Sequence, residues 1–276
     1  MGIVDAHCHA SLAWYEPVEA LLHHMAAHGV NRAVLVQIHG HYDNAYLMDC
    51  VRRHPDRLAP VVLVDPTSPT AERDLETLAG RGIAGVRLNA GDRSPGRDPL
   101  ALWRAAQRLD LPVSCSGRSA EFASPDFRQL VAALPRLRIV LEHLAGANYP
   151  NEQDTVERRR RAFDLASWPH VYVKVHGLGE FATRARPQSE PFPFARPLPP
   201  VLEMACAAFG PARMMWGSDF PPVSAREGYA NALHLTMGAL DQLSPAERSR
   251  IFEGTATELY LAAARRRGPS SEGRAS

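Results

Sequence analysis

The sequence predicts an α/β protein, a single-domain (β/α)8 TIM barrel spanning residues 1–262. Three observations predict it. Short runs rich in β-branched residues recur eight times along the chain. Stretches with helical periodicity separate them. Ionisable residues collect where several of these runs end, the end of a barrel at which active sites sit. The 276 residues suit one barrel of about 250 residues. The competing architecture, a doubly wound open sheet, would show a glycine-rich dinucleotide turn after the first strand, and the sequence has none there.

In chain order, strands are expected at 3–9 (IVDAHCH), 32–38 (RAVLVQI), 58–64 (LAPVVLV) and 83–89 (IAGVRLN). The second half supplies 111–117 (LPVSCSG), 138–144 (RIVLEHL), 171–177 (VYVKVHG) and 213–219 (RMMWGSD). Between them, 18–29, 100–110 and 125–135 carry apolar residues at helical spacing. Gly29, Gly82 and Pro112 mark element ends. The stretch 177–200 holds six prolines between 187 and 200 and is expected to lie over the barrel mouth as a lid, the alternative being a proline-stiffened surface connection. The run Arg158 to Arg161 sits in a helical pattern and is expected to be a solvated face.

Barrel strands turn one face to the helices and the other to the interior. In 171–177 this sends Val171, Val173 and Val175 outward and leaves Tyr172, Lys174 and His176 inside. The same alternation puts Gly85, Arg87 and Asn89 inside, with Val86 and Leu88 out. It directs Gln37 and His39 inward after the second strand, Ser114 and Ser116 on the fifth, and His143 after the sixth. Gly217 and Asp219 face in on the eighth, and Asp5, His7 and His9 share the inner face of the first.

Ionisable side chains inside a barrel are costly unless they are paired or bind a metal. The segment VDAHCHA aims two imidazoles the same way and turns Cys8 opposite. With His143 and Asp219 they make three imidazoles and one carboxylate, the donors of a mononuclear site with an open position. This set, His7, His9, His143 and Asp219, is expected to hold one divalent ion, zinc first and manganese second. A polar plug of buried salt bridges is the non-functional reading of the same residues.

Composition narrows the remaining choices. With 31 basic and 30 acidic side chains and 45% hydrophobic residues, the chain is an ordinary globular protein with no electrostatic case for nucleic acid or an anionic membrane as partner. Cys8, Cys50, Cys115 and Cys206 are scattered without a CxxC motif, and MGIVDAHCHA shows no signal peptide. The expectation is reduced thiols in a cytoplasmic protein. Residues 263–276 are polar and expected to be a disordered tail. Whether the chain forms a homo-oligomer is left open.

The motifs carry a family likeness over residues 1 to about 262. DAHCH, VQIHGHYDNAYL, GIAGVRLN, VLEHLAG, VYVKVHGLGE, FGPARMMWGSDFP and the closing LSPAERSRIFEGTATELY together resemble the amidohydrolase superfamily. The closest pattern is its amidohydrolase-related branch of pyrone-dicarboxylate lactonases and carboxymuconate-semialdehyde-type decarboxylases. The resemblance implies that His7, His9, His143 and Asp219 surround a metal and its water. Three departures bear on the reading. Strand five reads PVSCSGRS, without the metal-binding histidine of the decarboxylase-like members. Strand four carries Arg87 where binuclear relatives carry a lysine, and His176 stands where a small serine is usual. Thr255, where asparagine is usual, is expected to have no consequence for the chemistry. The first two departures favour a lactonase-like enzyme with one ion, or with none.

The expected function is therefore hydrolysis of a lactone or related ester of a small carboxylated molecule. Asp219 would act as general base, and His143 would complete the metal shell or stabilise the oxyanion. Arg87 would grip a substrate carboxylate, unless it is a buried partner of Asp5 or Asp65. His39, His41 and Tyr42 are substrate contacts or plain loop residues, Lys174 a partner for a substrate anion or a structural cation, and His176 an extra imidazole at the rim that marks the substrate. A metal-dependent decarboxylase is the second reading, and a non-catalytic ligand-binding barrel the third.

Overall fold

The computed structural model describes residues 2–146, 156–188 and 192–262; the tail expected at 263–276 lies outside the described residues. Four strands, β1 (Val4–Cys8), β2 (Arg32–Val36), β3 (Leu58–Val62) and β4 (Gly85–Asn89), open the chain. They lead into β5 (Val113–Ser116), β6 (Ile139–Leu141), β7 (Val171–Val175) and β8 (Met214–Trp216). All pair in parallel, in sequence order, in one sheet. Helices α1 (Val18–Ala27), α2 (Ala45–Arg53), α3 (Ala71–Ala79) and α4 (Ala101–Arg108) follow the first four strands. Helices α5 (Ser119–Phe122) and α6 (Pro125–Ala133) follow β5, α7 (Val156–Phe163) follows β6, and α8 (Val201–Phe209) follows β7. Helices α9 (Tyr229–Ala239) and α10 (Pro245–Ser249) follow β8 and run into two π-helical turns, Arg250–Gly254 and Thr257–Leu261.

The two strand faces separate into two packed clusters. Cys8, Leu35, Val86, Leu88, Val113, Val173 and Val175 pack outward against helix residues such as Leu21, Leu75, Trp103, Phe127 and Leu233. Val4, Ala6, Val34, Val36, Ala59, Val61, Val140 and Met215 fill the interior with Leu259 and Tyr260 of the C-terminal turn. The interior is thus a packed apolar core toward the N-terminal strand ends, with polar residues above it, as expected for a barrel.

Strict alternation fails on β1, and on β2 it holds with the opposite phase to the one expected. In β1 the register slips between Asp5 and Cys8, and this irregularity lets Ala6 and His7 both face inward. Asp5 consequently does not share the inner face with His7. Its Oδ1 accepts from the backbone N–H of His7 (3.2 Å) and Ser218 (2.8 Å), and its Oδ2 from the hydroxyl of Tyr229 on α9 (3.0 Å). Gln37, which follows β2, therefore points the other way from the expectation. Val34 and Val36 are the inner residues of β2, so Gln37 turns outward and donates to the carbonyl of Asp43 (2.7 Å), anchoring the entry to α2.

The seam between β8 and β1 is closed by a few bonds rather than a ladder. Asp219 N–H donates to the His7 carbonyl (2.8 Å), and His9 N–H to the Phe220 carbonyl (2.7 Å). Gly217 permits this closeness, because a Cβ there would stand 2.6 Å from His7 N and 2.7 Å from His7 Cβ. Its missing side chain makes room for β1, not for open space in the barrel centre.

The described part of the stretch 177–200 is anchored at a few points, with nearly half of it exposed. Ala185 N–H bonds the Pro193 carbonyl and Ala195 N–H the Thr183 carbonyl, both at 2.8 Å, and Phe181 and Phe194 are buried. Among the described residues no helix is long and apolar enough to cross a membrane. The four cysteines are free thiols.

Candidate active site

The site is built where strands end and the backbone leaves the ladder. After Val140, alternation turns Glu142, not His143, toward the interior. His143, Leu144 and Ala145 then take φ of 56°, 48° and 54°, a left-handed run that costs on the order of 1–3 kcal/mol per residue. That run swings the His143 ring into the barrel mouth. Arg159 of α7, buried to 2% exposure, clamps the turn by donating from Nη1 to the carbonyls of His143 (3.1 Å) and Leu144 (3.4 Å). Gly146 makes room, since a Cβ there would lie 2.8 Å from the Arg159 guanidinium. The arginine run expected to be a solvated face therefore includes one clamp, while Arg160 and Arg161 remain exposed beside Glu157.

Asp219, also left-handed at φ 57°, lies at the centre. Its Oδ1 stands 3.6 Å from His9 Nε2 and 3.8 Å from His7 Nε2, and its Oδ2 accepts from Arg226 Nη1 at 2.7 Å. His9 Nδ1 meets the Val36 carbonyl at 2.7 Å; a carbonyl only accepts, so this nitrogen carries the proton and Nε2 faces Asp219. His143 Nδ1 bonds Glu180 Oε1, an orienting pair of the kind that fixes a ring for chemistry at Nε2. His176 stacks on His143 with ring centroids 4.2 Å apart and lies 4.5 Å from His7.

A second, deeper network supports these rings. Arg87 Nη2 donates to Glu142 Oε2 (2.7 Å) and Nη1 to the Gln37 carbonyl (3.0 Å). Ser114 donates to Glu142 Oε1 (2.7 Å) and receives a bond from Lys174 Nζ (2.7 Å). Lys174 Nζ is also 3.2 Å from His7 Nδ1. Burial pushes the Glu142 carboxyl up, but Arg87, Lys174 and His143 outweigh it and hold it well below its ordinary value. Burial lowers Lys174 to about 8. Burial, with cationic neighbours, also holds His7 and His176 well below the usual histidine value, so both rings are neutral. For His143 the penalty of burial is outweighed by Glu180, and its pKa rises. For Asp219 it is outweighed by His9, His143 and Arg226, and its pKa falls.

These residues fit a divalent ion. Donor atoms of His7, His143, His176 and Asp219 all lie within 4.8 Å of one another. His7 Nε2 and both ring nitrogens of His176 are buried without a hydrogen-bond partner among the described residues, a cost that a cation would relieve. Imidazole-rich sets suit zinc and neighbouring first-row metals. The group shares His7, His143 and Asp219 with the set expected from the sequence, and has His176 where that set had His9.

A cavity of about 480 Å³ opens over the site, walled by His9, Arg87, His143, Asp219, Trp14 and His39 among others. Arg87 reaches it with two terminal nitrogens already engaged by Glu142 and Gln37, so its buried partner is neither Asp5 nor Asp65. Lys174 and His176 lie beneath it and are not among its lining residues, and neither is any described residue of 177–200. A depression of about 440 Å³ at the other end, lined by Arg32, Leu58 and Pro60, lies where barrel residues serve stability.

Sequence reasoning missed Glu142, Glu180, Arg226 and Trp14. Glu142 was legible from alternation with Val140. Trp14, 75% exposed at the mouth, was legible as a large aromatic in the loop after β1. Glu180 and Arg226 carry no local signal, because only the tertiary fold brings them to His143 and Asp219.

The amidohydrolase family model matches residues 4–261. The chain belongs to the amidohydrolase family. This amidohydrolase is 29% identical over 247 residues to the L-fucono-1,5-lactonase of Burkholderia ambifaria, covering 86% of this chain and 82% of that protein. It is 28% identical over 214 residues to the 4-sulfomuconolactone hydrolase of Hydrogenophaga intermedia, covering 74% and 65%. It is 26% identical over 238 residues to the D-galactarolactone isomerase of Agrobacterium fabrum, covering 81% and 74%. Among solved structures, an amidohydrolase from Burkholderia multivorans with bound zinc superposes with a TM-score of 0.76 at 23% identity, covering 95% of this chain and 99% of that one. The 5-carboxyvanillate decarboxylase of Sphingomonas paucimobilis superposes at 0.62 with 15% identity, covering 94% and 99%. At such identities the structures establish the fold alone, and that fold serves more than one chemistry.

Proposed function

We propose that this amidohydrolase opens the ring of a small lactone by hydrolysis, with Asp219 as general base. The observation that carries the reading is the division of the Asp219 carboxylate. Arg226 takes one oxygen, while the other faces His7 and His9 at the cavity floor. That second oxygen can hold and deprotonate a water. The names of the three curated relatives, all acting on lactones, support the substrate class.

In this mechanism water attacks the lactone carbonyl carbon as Asp219 takes its proton. The tetrahedral oxyanion collapses, the ring C–O bond breaks, and Asp219 returns the proton to the leaving oxygen, giving a hydroxy acid. Without an ion, His143, held by Glu180, would face the developing oxyanion. His7, His143 and Asp219 would hold a divalent ion, zinc by preference for imidazole and manganese otherwise. His9 Nε2, 3.6 Å from Asp219 Oδ1, would face the same ion. When bound, that ion polarises the carbonyl and lowers the pKa of the attacking water. Arg87 and His39 would meet a substrate carboxylate, and Trp14 would cover the apolar face of the ring. Lys174 acts from below, holding Ser114 and the His7 ring.

A pH-indicator screen tests the proposal with neutral aldono-1,5-lactones and carboxylated lactones side by side. Stoichiometric acid release with ring opening is expected. Release of carbon dioxide without ring opening would place the enzyme with the decarboxylases, and an inert panel would defeat the lactonase reading.

A further inference from the structure

We infer that His176, at the end of β7, is a ligand of the divalent ion; the inference rests on the metal reading above. Three observations carry it. The ring is fully buried, and neither Nδ1 nor Nε2 has a hydrogen-bond partner among the described residues. It lies against both His7 (4.5 Å) and His143 (4.2 Å, interplanar angle 21°). Its donor lies within 4.8 Å of those of His7, His143 and Asp219.

A structural role explains these facts poorly. If the ring served only to stack on His143, a phenyl group would pack as well and would bury no unsatisfied nitrogen. Each such nitrogen costs on the order of 1–3 kcal/mol. The backbone is meanwhile held in place, since Arg226 Nη2 donates to the His176 carbonyl at 3.2 Å. The ring is fixed and desolvated, with both nitrogens left over. Strand β5 offers no competing nitrogen, as its inward residue Ser114 is committed to Lys174 and Glu142. His9 keeps Nε2 free, its Nδ1 proton going to the Val36 carbonyl, so it remains available beside the ring from β7. The ion would then draw on the imidazoles of His7, His143 and His176 and the carboxylate of Asp219.

The test is metal binding by the full chain, with zinc alone as the titrant and cobalt(II) as the spectroscopic probe. The wild-type protein and His176→Phe, which keeps the stacked ring and removes both nitrogens, are stripped with chelator and titrated. The variant is expected to lose at least about a hundredfold in zinc affinity, since even ligand-supporting partners are worth 10–100-fold. Its cobalt visible spectrum should change with the loss of a nitrogen donor. Unchanged affinity and spectrum in the variant would overturn the inference and leave the metal reading standing. A wild-type chain that takes up no ion would overturn both. Should His176→Phe fail to fold, 113Cd-loaded wild-type protein with 15N-labelled histidine decides the matter. Coupling of cadmium to the assigned His176 nitrogen is expected, and its absence beside coupling to His7 and His143 would sink the proposal.

Discussion

Arg226 Nη1 stands 2.7 Å from Asp219 Oδ2, in a pair that is almost wholly buried and that Glu180 and Glu227 flank at 3.6 and 3.5 Å. The contact ties up one carboxylate oxygen and leaves the other facing the histidines. It also keeps Asp219 ionised, and with it the proton acceptor of the proposed reaction.

Asp219→Asn keeps the shape and the hydrogen bond from Arg226 but cannot accept a proton. kcat on a cognate lactone should fall by at least about a hundredfold, with KM nearly unchanged. Because the carboxyl is pulled below its ordinary value, its protonation should leave activity intact down to below about pH 3.9. A variant turning over near the wild-type rate would remove Asp219 from the mechanism.

Arg87 and Glu142 form a second buried pair. Arg87→Met leaves Glu142 with one cation fewer and should cost about 3 kcal/mol in urea unfolding, the scale for breaking a buried pair. The double variant Arg87→Met/Glu142→Gln should recover most of that loss. If the double variant is as unstable as the two single losses summed, the pair is not coupled.

Arg159 is not among the residues lining the cavity, yet it holds the carbonyls behind His143. Arg159→Met should lower kcat by roughly tenfold to a hundredfold, as displacement of a reacting group by about an ångström does. Zinc affinity should fall with it, and Arg159→Lys should restore part of both. Wild-type kinetics and zinc binding in the methionine variant would show that the left-handed turn holds without its clamp.

Glu227 supplies a pH signature in stability. Burial raises its carboxyl to about 7 in the folded chain, against about 4.3 when unfolded. Between those values the folded state keeps a proton that the unfolded state has released. This group's contribution to stability therefore falls as pH rises through the window and levels off above it. Urea midpoints of wild type should drop from pH 5 to 7.5 relative to those of Glu227→Gln. Parallel midpoints for the two proteins would contradict the raised value.

Much of this molecule is written in local pattern. Eight apolar runs became eight parallel strands in chain order. The inward placement of Lys174 and His176 follows from a period of two on β7, where Val171, Val173 and Val175 all pack outward. Side-chain alternation is set by the geometry of a single strand, so a reader of the chain can follow it without knowing the fold. The expected strand ends ran past the observed ones, 138–144 against Ile139–Leu141 for example, because the last residues leave the ladder to build the site.

What the pattern could not carry is wherever the backbone departs from regular geometry or a partner arrives from far along the chain. The register slip in β1 turned Asp5 outward to Tyr229, and the left-handed run at 143–145 brought in a ring that alternation alone would have turned away. Glu180 reaches His143 across 37 positions, and Arg87 reaches Glu142 across 55. Buried charges take whichever opposite charge the closed barrel puts within reach, since leaving them unpaired costs several kcal/mol. Composition and periodicity placed ionisable groups at the mouth of a barrel; closure of that barrel chose their partners.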